Sequence, residues 1–398
     1  MYSSLVYKND HITLCHKACK ACWGKELETG YFDMCKFIEN RVKVGHESVL
    51  EHSNVVIEIV KDYDFENTLA EKVFDLVGDM KYLNIVTKYR NGKEYLLMGG
   101  SIRAYKELIR YAPDPNSELL TIILKLLTQN LDPCYFVDFI EAGLCTESDF
   151  INKPIYNYQK ENLCKNKAAL PCSIVENVDP YIDLWENLVD HTVYTTRELY
   201  KMLTITINFK DLSRAASHQL VRHRNGITQS SMRYIDARNA KFHIPPLVSG
   251  QTYTINIFNN EYKLSFEDIL NMELSIYEQL RSQNVAKEDA RGILGINSKS
   301  EDLYMTFTYL TFIKFLQLRT DKHAQYEIRE RAVELYDYFV MSENPILPYN
   351  LYDYLVPNFI LYKDEMNEFN DEFDEPLELI EERITGEDYE RAIFGFKN

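Results

Sequence analysis

The chain has 398 residues, 45% of them hydrophobic, which is enough apolar material for one large folded unit or two ordinary ones. Its formal net charge of -17 excludes a general affinity for nucleic acid, because that affinity comes mostly from Lys and Arg neutralising phosphates. A phosphate-bearing ligand must therefore meet a local basic cluster. No run approaches the roughly 18 apolar residues of a membrane helix, and Met1 to Leu14 lacks the basic start and apolar run of a secretory leader, so a cytoplasmic protein with no membrane partner is expected. The eight cysteines are scattered through a long chain and read as reduced thiols rather than a disulfide framework.

In chain order, apolar spacing predicts helices over His11–Trp23 and Tyr31–Val44, a stop at Gly45 and a strand over Val55–Val60. A middle block, 61–200, follows. Within it Lys81–Met98 reads as a β-hairpin, because two β-prone runs flank Asn91-Gly92, the dipeptide that supplies the positive φ angles of a tight turn. Helices are expected over Ser101–Tyr111 and Glu118–Leu131, and a loop over Thr146–Asn177. Beyond it come a strand at Leu203–Phe209, a helix capped by Asp211 and running to about His223, and a second strand near Ser231–Ile235. Long helices over Ser265–Gln283 and Leu303–Val340 complete a block ending near 345. The remainder, 346–398, is acidic and reads as a solvated, partly helical tail. The fold class expected is α+β, with a central, mostly antiparallel sheet carrying long helices.

Three runs could carry chemistry. In the first, Gln219 to Tyr234, a helical end fans Arg222 and Arg224 about 200° apart so that they can serve two anions. A strand period would place the Ser231 hydroxyl beside the Arg233 guanidinium, a good arrangement for one phosphate. The same residues also fit an exposed basic turn. In the second run, Arg319, His323 and Glu327 recur every fourth residue, which puts them on one helical face as a ligand site or as a solvated ion-pair ladder. The third, Gly45 to His52, has two histidines and two acids whose spacing does not match a zinc-hydrolase helix. Cys15, Cys19, Cys22 and His16 lack a second pair to complete a four-ligand set, so no metal is expected.

Taken together, these runs resemble the flavin-dependent thymidylate synthases. That family carries an R-H-R signature followed by Ser and Arg-Tyr, matched here by Arg222-His223-Arg224, Ser231 and Arg233-Tyr234. It also carries a G-H-x-S-x-x-E-H segment, matched by Gly45 to His52, and an L-R-x-D-x-H-A-Q-x-E-I-R helix, matched by Leu318 to Arg329. Phe242 to Pro245 and Arg291 fall where the family has further matching positions. The resemblance covers about 11–60 and 201–340. It implies a synthase unit formed by 1–60 and 201–345, with 61–200 as a large inserted segment and 346–398 as a tail.

The resemblance further implies FAD as cofactor, NADPH and methylenetetrahydrofolate as co-substrates, dUMP as substrate and a homotetramer whose sites are shared between subunits. Gln219, Arg222, Ser231, Arg233, Arg291 and Arg319 would bind dUMP, and His46, Ser48, Arg222, His223, Arg224, Gln229 and Lys314 would face FAD. Arg319 and Arg222 would be the catalytic residues. Thr308 and Lys314 stand where the family has asparagine or histidine against the flavin. No cysteine nucleophile is required, because reduced flavin supplies the hydride. A relative with an altered one-carbon product, or a non-catalytic nucleotide-binding homologue, would carry the same motifs.

Overall fold

The computed structural model describes residues 1–9, 11–23, 30–77, 82–150, 172–174, 180–223 and 226–341. The tail 346–398, Arg224 and most of the predicted Thr146–Asn177 loop lie outside these residues. The architecture is α+β, built on two four-stranded antiparallel sheets instead of one. The first has the order β1-β2-β4-β3, from β1 (Tyr2–Lys8), β2 (Asn54–Asp62), β3 (Leu83–Arg90) and β4 (Lys93–Ser101). The second has the order β5-β6-β10-β7, from β5 (Cys172–Ile174), β6 (Thr204–Ser213), β7 (Gly226–Gln229) and β10 (Lys299–Thr308). A separate hairpin pairs β8 (Thr252–Ile257) with β9 (Asn260–Ser265).

The predicted hairpin forms around Asn91 at φ 51° and Gly92 at φ 76°, and it joins the sheet that β1 and β2 begin. Strand β2 is buried on both faces. Val55, Ile57 and Ile59 pack under helices His11–Trp23, Tyr31–Lys43, Ile102–Tyr111 and Glu118–Asn130. Val56 and Val60 face the opposite way, into a core shared with Ile205, Ile207, Phe209, Leu303, Met305 and Phe307 of the second sheet. Glu58 is also fully buried on that face, where it accepts the Val189 amide and the Tyr194 hydroxyl, each at 2.9 Å. These bonds offset part of the cost of burying a carboxyl.

Three sequence expectations give way around the second sheet. Leu303–Val340 is not one helix. Leu303 to Thr308 is the end of β10, and its two-residue period was hidden because both faces are covered. Thr308 then caps the helix Tyr309–Arg319 by accepting the Thr311 amide at 3.2 Å, and a second helix begins only at Tyr326. Ser213 rather than Asp211 caps the helix Arg214–Leu220, because β6 runs on through Asp211. The expected strand at Ser231–Ile235 is a turn, in which the Ser231 carbonyl accepts the amides of Tyr234 and Ile235 at 2.9 Å. The strand lies just before it, at Gly226–Gln229.

Two fully buried side chains tie the signature segments to this frame. Glu327 accepts the Ser213 amide at 2.7 Å and its hydroxyl, fixing the start of helix Arg214–Leu220. His52 sits between the Thr306 hydroxyl, 2.8 Å from Nδ1, and the Thr228 hydroxyl, 2.9 Å from Nε2. Thr306 in turn meets Thr206 at 2.8 Å. Gly226 is required where the turn carrying His52 crosses β7, since a Cβ there would stand 2.9 Å from the Glu51 carbonyl oxygen.

Burial pushes His52 down from 6.5 to about 4. The folded chain therefore keeps His52 neutral, whereas the unfolded chain takes up a proton below about pH 6.5. This contribution to stability is fully present above about pH 6.5 and is lost as the pH falls toward about 4. Replacing His52→Gln should flatten the fall in thermal midpoint between about pH 7 and about pH 4.5, the share due to His223 remaining. An unchanged slope in the variant would refute the assignment.

Candidate active site

Two helix ends meet over the second sheet. The helix Arg214–Leu220 tightens into a short 3-10 turn, Val221–His223, and the helix Tyr309–Arg319 ends beside it. Arg319 closes the junction. Its Nε donates to His223 Nε2 at 3.1 Å, and its terminal nitrogens donate to the Gln219 side chain at 3.4 Å and the Gln219 carbonyl at 3.3 Å. Gln219 Nε2 donates onward to Gln325 at 3.2 Å. Both helices present their C-terminal, partly negative ends here, which favours the cations gathered at this point.

Protonation follows from this packing. Burial, then the charges of Arg319 and Lys314, lowers His223 to about 4, so the imidazole is neutral and can accept from Arg319. Arg319 is itself lowered, by burial and by Arg222 beside it, yet it remains a cation. Arg222 is exposed and has no side-chain hydrogen bond or ion pair among the described residues. The expected face of Arg319, His323 and Glu327 does not exist. The helix breaks after Arg319, leaving His323 on Asp321 at 2.8 Å in solvent and Glu327 buried on Ser213.

A second group forms where the Ser231–Ile235 turn meets the short helix Lys287–Ala290. Ser231 Oγ accepts the Arg233 amide at 3.3 Å, Arg233 Nε pairs with Glu288 at 3.1 Å, and Arg291 Nε donates to the Glu288 carbonyl at 3.2 Å. A turn, not a strand period, thus joins the Ser231 hydroxyl to the Arg233 backbone amide, while the Arg233 guanidinium reaches Glu288. The Arg233–Glu288 pair is half exposed, so it is weak and open to exchange for a better anion. The turn rests on the first helix, with the Ser231 amide on the Cys22 carbonyl at 3.1 Å and Trp23 stacked on Tyr234 at 4.8 Å.

Arg214, given no role on sequence grounds, begins the helix Arg214–Leu220. It proves half buried and is lowered by burial and by the nearby charge of Arg291, which makes it a further cation of this group. It lines a cleft of about 320 Å³ with Ser230, Lys241 and Lys299, and Lys241 is paired to Asp211 at 2.9 Å. The volume falls in the range of about 300–1,000 Å³ typical of small-molecule sites. A one-residue cation ahead of Ala215-Ala216 left no spacing signal that could have marked it.

The remaining expected residues lie on other elements. His46 and Ser48 are exposed on the 3-10 turn Glu47–His52. Gln229 ends β7 opposite Leu303, and Lys314 lies on the helix that ends in Arg319. No hydrogen bond or ion pair among the described residues joins the Gln219–Arg319 group to Ser231, Arg233 or Arg291, or either group to His46 and Ser48. Cys19, Cys22, Cys35, Cys134 and Cys145 are free thiols, and no metal-binding cluster occurs among the described residues.

Substituting Arg319→Met should raise the His223 pKa above about 4 without restoring it to 6.5, because burial is its main cause. Histidine titration by nuclear magnetic resonance checks this, and an unmoved His223 would contradict the contact.

Among the described residues no helix is long and apolar enough to cross a membrane. Residues 141–343 match the family described as thymidylate synthase complementing protein. A flavin-dependent thymidylate synthase of Geobacter sulfurreducens is 35% identical over 133 residues, 33% of this chain and 54% of the relative. Its counterpart in Saccharolobus solfataricus is 28% identical over 207 residues, 50% and 69% of the two chains. That of Pyrococcus furiosus is 31% identical over 144 residues, 35% and 55%. The chain spans about half the length of most of these curated relatives. The matched span takes in both cationic groups, and with half of its length matched in this way the chain belongs to the thymidylate synthase complementing protein family.

Proposed function

We propose that the chain is a flavin-dependent thymidylate synthase, converting dUMP to dTMP with methylenetetrahydrofolate as carbon donor and NADPH as reductant of FAD. The observation that carries this reading is the junction at Arg319, where two motifs about a hundred residues apart meet through Gln219 and His223. A guanidinium held on one side by a neutral imidazole and an amide keeps its charge directed outward, as needed to polarise a uracil carbonyl. Arg222, next to it and unpaired, is the second cation of that centre.

Ser231, Arg233 and Arg291 supply the phosphate side of dUMP, with Arg214 as an added cation. The donor set fits a flavin dinucleotide: Arg222 is free for a pyrophosphate, and His46 and Ser48 expose an imidazole and a hydroxyl to contact the cofactor. His223, Gln229, Lys314 and Arg224 complete that side in this reading. Bound FAD would supply the hydride chemistry, while the protein orients dUMP and excludes water. The family resemblance implies a homotetramer, in which one subunit's Arg319 group would face another's Arg233 group. The segment 61–200 is then an insertion in the synthase unit, and the free thiols accord with a reducing, cytoplasmic setting.

Purified protein should be yellow or take up FAD, and NADPH should bleach it faster when dUMP is present. A chain that binds no FAD overturns the proposal in favour of a non-catalytic homologue. Arg233→Ala should weaken dUMP binding about ten- to a hundredfold, since a charge-assisted hydrogen bond contributes roughly 1.5–3 kcal/mol, while FAD binding changes little. Arg214→Gln should share that selectivity with a smaller loss. Calorimetric titration of both ligands reads the division, and equal losses of dUMP and FAD affinity would show it to be wrong.

A further inference from the structure

The turn that exposes His46 and Ser48 is held by side chains from the middle segment. On the helix Ile102–Tyr111, the spacing of Arg103, Lys106 and Arg110 puts three cations on one face. They meet two carboxylates of the turn. Lys106, fully buried, donates to Glu47 at 2.6 Å, to Asp138 at 2.7 Å and to the Tyr135 carbonyl at 2.6 Å, so all three ammonium protons are used. Arg110 grips Glu47 through two bonds of 2.6 Å and also reaches Asp138, while Arg103 pairs with Glu51. The start of the same helix is tied to the turn's end, because the Ile102 amide donates to the Ser53 carbonyl at 2.9 Å.

Glu47 lies between His46 and Ser48 in the chain, so clamping its carboxylate fixes the backbone that presents both. We propose that Lys106 and Arg110 are positioning residues for the flavin side of the site, through which the segment 61–200 sets flavin affinity. Glu47 is held down to about 2 by the two cations against the opposing effect of burial, as a fixed carboxylate requires. The inference rests on the reading of His46 and Ser48 as flavin-contacting residues.

The test uses the full chain with Arg110→Gln, chosen because Arg110 is partly exposed and its loss is tolerable to folding, and with Arg110→Lys as the conservative variant. Hydrogen exchange of 45–52, measured without flavin, should speed up in Arg110→Gln. Its FAD dissociation constant should rise about tenfold, in line with one charged hydrogen-bond pair, with dUMP affinity and kcat at saturating FAD unchanged. Arg110→Lys should recover most of the affinity. Faster exchange with an unchanged FAD constant overturns the proposal, as does unchanged exchange, or a loss confined to kcat. A parent chain that takes up no FAD overturns the function reading and this inference with it, whereas normal uptake by the parent and an unchanged constant in Arg110→Gln overturns this inference alone.

Discussion

The antiparallel ladder between β6 and β10 is the constraint on which the site depends. Its register runs from Thr204 opposite Thr308 to Ser213 opposite Lys299, a span of about 30 Å at 3.3 Å per residue. Each strand passes directly into a helix at an opposite end of the ladder. The helix after Ser213 and the helix after Thr308 are about 10 Å and 16 Å long at 1.5 Å per residue, and they run back toward each other. Their C-termini must then converge. A slip in the ladder would turn every buried side chain of β10 to the other face and separate Arg319 from His223.

Convergence at C-terminal ends explains how a cluster of cations can persist in a partly buried place. Each helix end offers carbonyls without an internal partner, and a cation beside such an end gains roughly 0.3–1 kcal/mol. Arg319 uses one of these carbonyls, that of Gln219. At the opposite end of one helix, Glu327 supplies a negative charge to the Ser213 amide. The helix Arg214–Leu220 is therefore polarised by side chains at both ends in the sense of its own dipole, and an unpaired Arg222 costs less there than it would elsewhere.

Much of this was legible in the sequence where local rules act alone. The Asn91-Gly92 hairpin, the first two helices and the helix from Phe266 to Ser282 follow from turn chemistry, period and caps, and the order of the three motifs named the family. What failed is instructive. Leu303 to Thr308 lacks alternation because tertiary packing covers both faces, so it passed for the start of a helix. Every-fourth-residue spacing placed Arg319, His323 and Glu327 together, but the break at Thr320–Gln325 sends them to three different partners. Ser231 and Arg233 do not share a strand face, because a turn joins the Ser231 hydroxyl to the Arg233 backbone amide and the guanidinium goes to Glu288. Glu47 and Glu51 gave no hint of their partners, which lie about fifty residues or more away.

The buried His52 has one further consequence. A neutral imidazole has one donor nitrogen and one acceptor, and here each faces a hydroxyl that can play either part. If Nδ1 carries the proton it donates to Thr306, and Thr228 must donate to Nε2; in the other tautomer both directions reverse. The contact of Thr306 with Thr206 extends the same choice to the next strand. The interior of the second sheet thus contains a line of hydrogen bonds that can run in either of two opposite directions, as in a row of ice molecules, and the tautomer of His52 sets the direction at both of its own bonds.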